Sequence, residues 1–133
     1  FKSGDVRANE YIGLAALHTM WVREHNRVAR QLRRLNPHWL DEILFQESRR
    51  IVIGLLQHIT FAEFLPLVLG KDTMNNFGMQ LEKEDYFKGY KMNINPGLAN
   101  SIGATALYFY ISLMPKKLEV FDKTGKRIGD ESI

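Results

Sequence analysis

Four histidines, His18, His25, His38 and His58, are the first residues to weigh for chemistry, because imidazole serves as metal ligand or proton carrier. His18 and His25 are seven residues apart on a predicted helix, two turns or about 10 Å along its axis, too far to share one ion. His38 follows Pro37 in a predicted loop. His58 sits among apolar neighbours, where a core histidine with its ring satisfied is the commoner case. Cysteine is absent, which excludes thiol nucleophiles, thiolate metal sites and internal disulfides but says nothing about compartment. Neither a glycine-rich phosphate loop nor a nucleophile elbow occurs. The densest polar constellation is Arg23-Glu24-His25-Asn26-Arg27. His25 and Asn26 turn toward the side bearing Trp21 and Val28, so they are expected to be buried and to find hydrogen-bond partners elsewhere in the fold, in a structural network rather than in catalysis.

The elements that must position these residues are mostly helical. From about Asn9 to Leu35 the positions Leu14, Leu17, Trp21, Val28, Leu32 and Leu35 keep helical spacing, and Asn36-Pro37 ends the run. Arg23, Arg27, Arg30 and Arg34 form a stripe on the opposite face, which a solvated surface explains more simply than phosphate binding. A second helix is expected with Asp41 as N-cap and Ile43, Leu44, Ile51, Val52, Leu55, Leu56 and Ile59 facing inward, until Pro66 and Gly70 break it. Glu63 and other polar residues interrupt the apolar stretch from Ile51 to Leu69, which predicts a buried helix rather than a membrane span. Lys71 to Asn95 shows no clear period and reads as a long packed loop. Leu98 to Leu113 favours a third, shorter helix, with strand open for Tyr108 to Ile111. Alternating apolar residues about Gly125 predict a small C-terminal hairpin.

With 133 residues, 45% hydrophobic and 25% charged, the chain has the composition of a folded domain. Its net charge of +3 is too mild to demand a nucleic-acid or anionic-membrane partner. The chain starts at Phe1 with no apolar leader core, and so is expected to be a processed or truncated piece of something longer. The fold class expected is mainly α: two long packed helices, a third shorter helix, a long loop and the hairpin.

Several ordered blocks then narrow the reading. Gly4-Asp5-Val6-Arg7-Ala8-Asn9-Glu10, His18-Thr19-Met20-Trp21-Val22-Arg23-Glu24-His25-Asn26-Arg27 and Leu35-Asn36-Pro37 resemble the animal haem peroxidases. So do Gln46-Glu47-Ser48-Arg49-Arg50-Ile51-Val52, Gln57-His58-Ile59-Thr60-Phe61 and Phe64-Leu65-Pro66-Leu67-Val68-Leu69-Gly70, in the same order. The resemblance is strong over residues 1–70 and divergent over 71–133. It implies that residues 1–133 are one segment of a larger helical fold around a buried haem. The implied reaction uses hydrogen peroxide to oxidise halides or a small organic electron donor, in an extracellular or secretory setting.

The resemblance also assigns roles. Arg7 matches the arginine over the distal haem face, where a fixed guanidinium stabilises charge as the O–O bond breaks. Glu10 matches the carboxylate that in some members is esterified to a haem methyl. The family's distal histidine lies in a block upstream of Gly4, so another chain or flanking segment is expected to carry it. The proximal ligand should be a histidine after Asn100, but this sequence has Ala106-Leu107-Tyr108-Phe109-Tyr110-Ile111. Alignment on Asn100 and Pro115 puts Tyr110 at that position, and a one-residue shift puts Ile111 there; tyrosinate ligation of haem is known chemistry. Two alternatives stay open: a peroxidase-like structural or interaction module that has lost its haem ligand, and a basic helical module binding acidic partners.

Overall fold

The computed structural model describes all residues except Phe1, Lys83, Asp85 and Ile133, together with the side chains of Ala106, Leu107 and Tyr110. The chain divides into two compact units, Phe1–Lys88 and Gly89–Ile133.

The first unit is built on two long helices. A single 3-10 turn, Val6–Asn9, leads into α1, Ile12–Leu35, and a short connection delivers the chain into α2, Asp41–Ile59. The helix break falls at Asn36-Pro37 as the sequence dictates. The Asn36 amide still donates to the Leu32 carbonyl, and the Asn36 carbonyl accepts from the Trp39 amide, so the loop reverses without losing backbone bonds. Arg33 spans this turn, donating to the Trp39 carbonyl at 3.0 Å and lying 3.6 Å from the Asp41 carboxylate. Asp41 does not cap α2. Leu40 holds that position with extended backbone, and Asp41 and Glu42 fall in the first turn, where their charge meets the helix dipole without a capping bond.

The two helices pack together along a narrow seam whose buried members are Val28 of α1 and Leu44 and Ser48 of α2. Ser48 is fully buried, and its hydroxyl donates to the Leu44 carbonyl one turn back at 2.6 Å. A small residue whose polar group is satisfied within its own helix lets the neighbouring helix come close without stranding a donor.

The predicted inward face of α2 is mostly not inward. Ile43, Ile51, Leu55, Leu56 and Ile59 are exposed, and Val52 is half-buried. The reason is geometric: one partner helix covers one stripe of a cylinder, and these residues extend beyond that stripe. For the same reason the stretch from Ile51 to Leu69 is not the buried helix expected from its composition. The helical run Asp41–Leu69 is long and apolar enough to cross a membrane by length and composition, and its most apolar stretch is uncovered within this chain.

Pro66 does not end the run either. After Ile59 the helix widens into a π-helical segment, Thr60–Phe64, in which the Leu65 amide donates to the Thr60 carbonyl five residues back. That extra residue resets the ladder just ahead of Pro66, which lacks an N–H and sits in the first turn of α3, Leu65–Leu69. Gly70 is the true break, at φ +79° and ψ 155°, and it starts α4, Lys71–Asn76, where Met74 is buried. The packed loop expected over Lys71 to Asn95 is therefore a short helix followed by irregular and largely exposed chain.

In the second unit the predicted third helix is split. α5 covers Asn100–Ala104, Thr105 leaves helical geometry at φ −129° and ψ −69°, and Ala106–Leu113 continues as 3-10 helix. The aromatic and β-branched run Tyr108 to Ile111 is poorly suited to α-helix, which explains the change in winding. The hairpin is present: β1, Lys117–Phe121, pairs antiparallel with β2, Arg127–Ser132, and a bulge lies between Val120 and Phe121. Gly125 at φ +83° closes its turn, and Asp122 accepts hydrogen bonds from the Thr124 amide and hydroxyl and the Lys126 amide. These bonds hold the Asp122 carboxyl below its ordinary range.

A β-carbon at Gly70 would meet open space, so a substitution there tests backbone strain alone. Gly70→Ala is expected to destabilise the fold by roughly 1–3 kcal/mol, read as a shifted denaturation midpoint with unchanged slope. An unshifted midpoint would show that the break between α3 and α4 does not need this backbone conformation.

Candidate functional site

Of the residues singled out by type and spacing, Arg7, His18, His25 and Asn26 line one groove of about 830 Å³ along the N-terminal half of α1. Its floor and walls are largely apolar, with Leu14, Trp21 and Val22 from α1, Ala8 from the 3-10 turn and Phe45 from α2. Asp5 and Arg7 stand at its rim, and His18, His25 and Asn26 add polar groups along its length.

Arg7 is held by the residue two places before it. Its Nε donates to Asp5 Oδ1 at 3.0 Å and its terminal nitrogen to Asp5 Oδ2 at 2.8 Å, a two-pronged match of planar groups. The Arg7 backbone amide donates to the same Oδ1 at 2.9 Å, so Asp5 caps the turn and orients the guanidinium together. Bonding from the Arg7 side chain first, and from its amide second, pulls the Asp5 carboxyl down from 3.8 to about 2. The Arg7 guanidinium is correspondingly held above its ordinary value by Asp5, with a smaller electrostatic contribution from Glu10. The pair is exposed, so its value lies in orientation rather than in stability.

Glu10 does not line the groove; it is exposed just past the turn, and its amide donates to the Arg7 carbonyl at 3.1 Å. Glu10 follows the turn as its C-cap, near enough to Arg7 for its charge to act on the guanidinium. Tyr110 belongs to the second unit's 3-10 helix, and its side chain lies outside the described residues.

His18 and His25 behave as structural groups, whereas His58, expected among apolar neighbours in the core, is exposed because one partner helix covers only one stripe of α2. His18 Nδ1 lies 3.0 Å from the Ala8 carbonyl, which can only accept. His25 Nε2 lies 3.3 Å from the Phe45 carbonyl, and its ring meets that of Phe45 with centroids 5.2 Å apart, tying α1 to α2. His25 is thus half-buried rather than buried, and it has the partner on another element that was expected of it. Asn26 is instead exposed, beside the His25 ring. Among the described residues no group of three or more His, Asp or Glu could hold a metal ion.

The arginine stripe is partly neutralised from within. Arg27 grips Glu24 at 2.6 and 2.7 Å and donates to Gln31 at 3.0 Å. This pairing pulls the Glu24 carboxyl down and pushes the Arg27 guanidinium up.

The fit of a haem can be tested against these residues. An apolar, aromatic-bearing wall with a fixed cation at its rim suits one side of a flat apolar macrocycle that carries ionised carboxylates. The described residues supply that wall and rim. Of the histidines in the groove, His18 is held through Nδ1 by the Ala8 carbonyl and His25 through Nε2 by that of Phe45, so a bond to iron would fall to the other nitrogen of either ring.

Comparison with known proteins places this geometry. The model of the family described as animal haem peroxidase matches residues 1–132. The chain is 46% identical over 128 residues to a peroxidasin of Drosophila melanogaster, covering 96% of this chain and 8% of that one. It is 41% identical over 126 residues to a chorion peroxidase of the same organism, covering 95% and 16%. Peroxidase A from Dictyostelium discoideum superposes with a TM-score of 0.80 at 34% identity, over 99% of this chain and 24% of that one. The chain therefore spans only a small part of the relatives it matches.

The Asp5 depression carries a signed expectation. A carboxyl lowered on folding contributes stability at pH values above its unfolded range near 4, and that contribution is lost as pH falls toward 2. An NMR titration of the Asp5 side chain should therefore give a midpoint near 2. In Arg7→Ala the midpoint should climb toward 3.8 without reaching it, because the backbone amide of the replaced residue still donates. An unchanged midpoint in that variant would show that the fork does not form in solution.

Proposed function

Because this chain belongs to the animal haem peroxidase family, we propose that residues 1–133 form one segment of a haem peroxidase domain, with Arg7 at the face where hydrogen peroxide is activated. The observation that carries this reading is the Asp5–Arg7 fork, a pre-oriented guanidinium at the rim of an apolar groove. When bound, haem supplies the redox-active iron at which peroxide is reduced and from which a halide or small organic donor is then oxidised.

The chain's own residues have narrower tasks. Arg7 presents N–H donors to peroxide oxygen as negative charge gathers there, and Asp5 fixes the direction of those donors beforehand, so little reorganisation is needed. Arg7 is charged at every working pH and cannot shuttle the proton itself. A general acid–base group must therefore come from elsewhere, which agrees with the distal histidine expected on another chain or flanking segment. Glu10, at the end of the turn that carries Arg7, is the carboxylate proposed to anchor the cofactor covalently. The leucine, tryptophan and phenylalanine of the groove exclude water from that side. Tyr110 is proposed as the proximal ligand by alignment. An extracellular or secretory setting is the one that kinship with this family suggests.

A second reading is favoured by one observation: the sequence has no histidine after His58, where the family's proximal ligand is expected. On that reading the domain keeps the fold and serves as a structural or protein-interaction module.

An ultraviolet-visible spectrum of the complete natively purified protein distinguishes the two. A Soret band that shifts on adding hydrogen peroxide supports the peroxidase; a folded, haem-supplied protein without a band supports the silent module. In a peroxide-responsive protein, Arg7→Ala should slow the spectral response roughly 10²- to 10³-fold while leaving haem content nearly unchanged. Tyr110→Phe should alter the spectrum if that oxygen binds iron, and an unaltered spectrum would exclude it.

A further inference from the structure

The 3-10 turn that carries Arg7 cannot hold itself in place. It has four residues, with the Ala8 amide donating to Asp5 at 3.2 Å and the Glu10 amide to Arg7 at 3.1 Å, and so short a helix is not stable alone. Val6 is 98% exposed and the Arg7 side chain 78% exposed, so neither fixes the turn against α1. Ala8 is its buried member, and the methyl group offers little area. The same residue receives a polar contact, because His18 Nδ1 lies 3.0 Å from the Ala8 carbonyl across a partly buried gap.

We propose that His18 is a positioning residue for Arg7, clamping the Val6–Asn9 turn to α1 through the Nδ1–H to Ala8 carbonyl bond. The inference rests on the reading of Arg7 given above and deepens it. His18 stands in the second turn of α1, and helix side chains lean toward the N-terminus, so its ring reaches back over the segment that precedes the helix. A hydrogen bond in a partly buried place is stronger than one in open water, and leaving the Ala8 carbonyl without it would expose a lining atom of the groove to competing water. His18 is also near enough for its charge to contribute to lowering the Asp5 carboxyl. A single ring therefore borders both the turn and the fork that aims the guanidinium. His18 touches neither substrate nor cofactor in this role; a shift of the turn by an ångström would be enough to spoil the aim.

The test uses the complete protein and two readouts. One is hydrogen–deuterium exchange of the segment from Gly4 to Glu10; the other is the rate of the haem spectral response to hydrogen peroxide. His18→Ala is expected to speed exchange in that segment roughly tenfold, as loss of one hydrogen bond allows. It should slow the peroxide response roughly ten- to a hundredfold. His18→Asn, whose amide nitrogen falls near the place of Nδ1, should restore both, and His18→Gln, whose amide falls near Nε2, should not. Arg7→Ala should leave exchange unchanged, and adding His18→Ala to it should bring no further slowing.

Unchanged exchange in His18→Ala, no advantage of Asn over Gln, or further slowing in the double variant would each overturn the proposal. If His18→Ala fails to fold, the comparison of Asn with Gln decides alone. If Arg7→Ala itself leaves the peroxide rate intact, the assignment of Arg7 fails, while the exchange data still decide whether His18 holds the turn.

Discussion

Everything in the first unit depends on the close approach of α1 and α2 at a small and nearly self-contained seam. Ser48 is the critical residue there, because it is fully buried and answers its own hydroxyl within α2. A larger residue would push the helices apart, and a polar group without an internal partner would cost more than the burial returns. Around this seam the pairing is fixed by bonds from side chain to backbone: His25 to the Phe45 carbonyl at one level and Arg33 to the Trp39 carbonyl at the turn. Such bonds set register in a way that apolar contact, which is non-directional, does not.

The site inherits its shape from that pairing. Phe45 reaches the groove because α2 is held at this distance from α1, and the 3-10 turn closes the groove because Ala8 lies against the start of the same helix. The rim of the groove is organised by two residues. Asp5 converts a flexible arginine into a directed one, using an interaction whose strength in water is slight but whose geometry is definite. That pair and much of α2 are alike exposed.

Much of this was legible in the chain. The body and C-terminal end of α1, the break at Asn36-Pro37 and the hairpin about Gly125 follow from local rules of period, proline and positive φ, which operate over a few residues, whereas the start expected near Asn9 falls in a separate 3-10 turn and α1 begins at Ile12. The family blocks likewise brought Arg7 and Glu10 forward. Misreadings arose where the outcome depended on a competition between local options. Asp41 is a good cap by type, yet the loop held by Arg33 put Leu40 there. Pro66 is a helix breaker by type, yet a π-helical segment absorbed it. The burial expected for the apolar face of α2 presumed surface that a single neighbouring helix does not have. Asn26, expected to be buried alongside His25, points out instead because adjacent helix positions are about 100° apart and only one of them can face Phe45.

The sequence alone determined the helical character of the chain, its principal breaks and its family, since each is written in residue types at fixed spacing. The partners of those residues were decided by tertiary structure. That His18 meets Ala8, that His25 meets Phe45 and that Ser48 is fully buried follow from how α1, α2 and the turn lie in space. Spacing along a chain states which face a side chain occupies, but what stands opposite that face depends on packing, where many weak contacts are weighed at once.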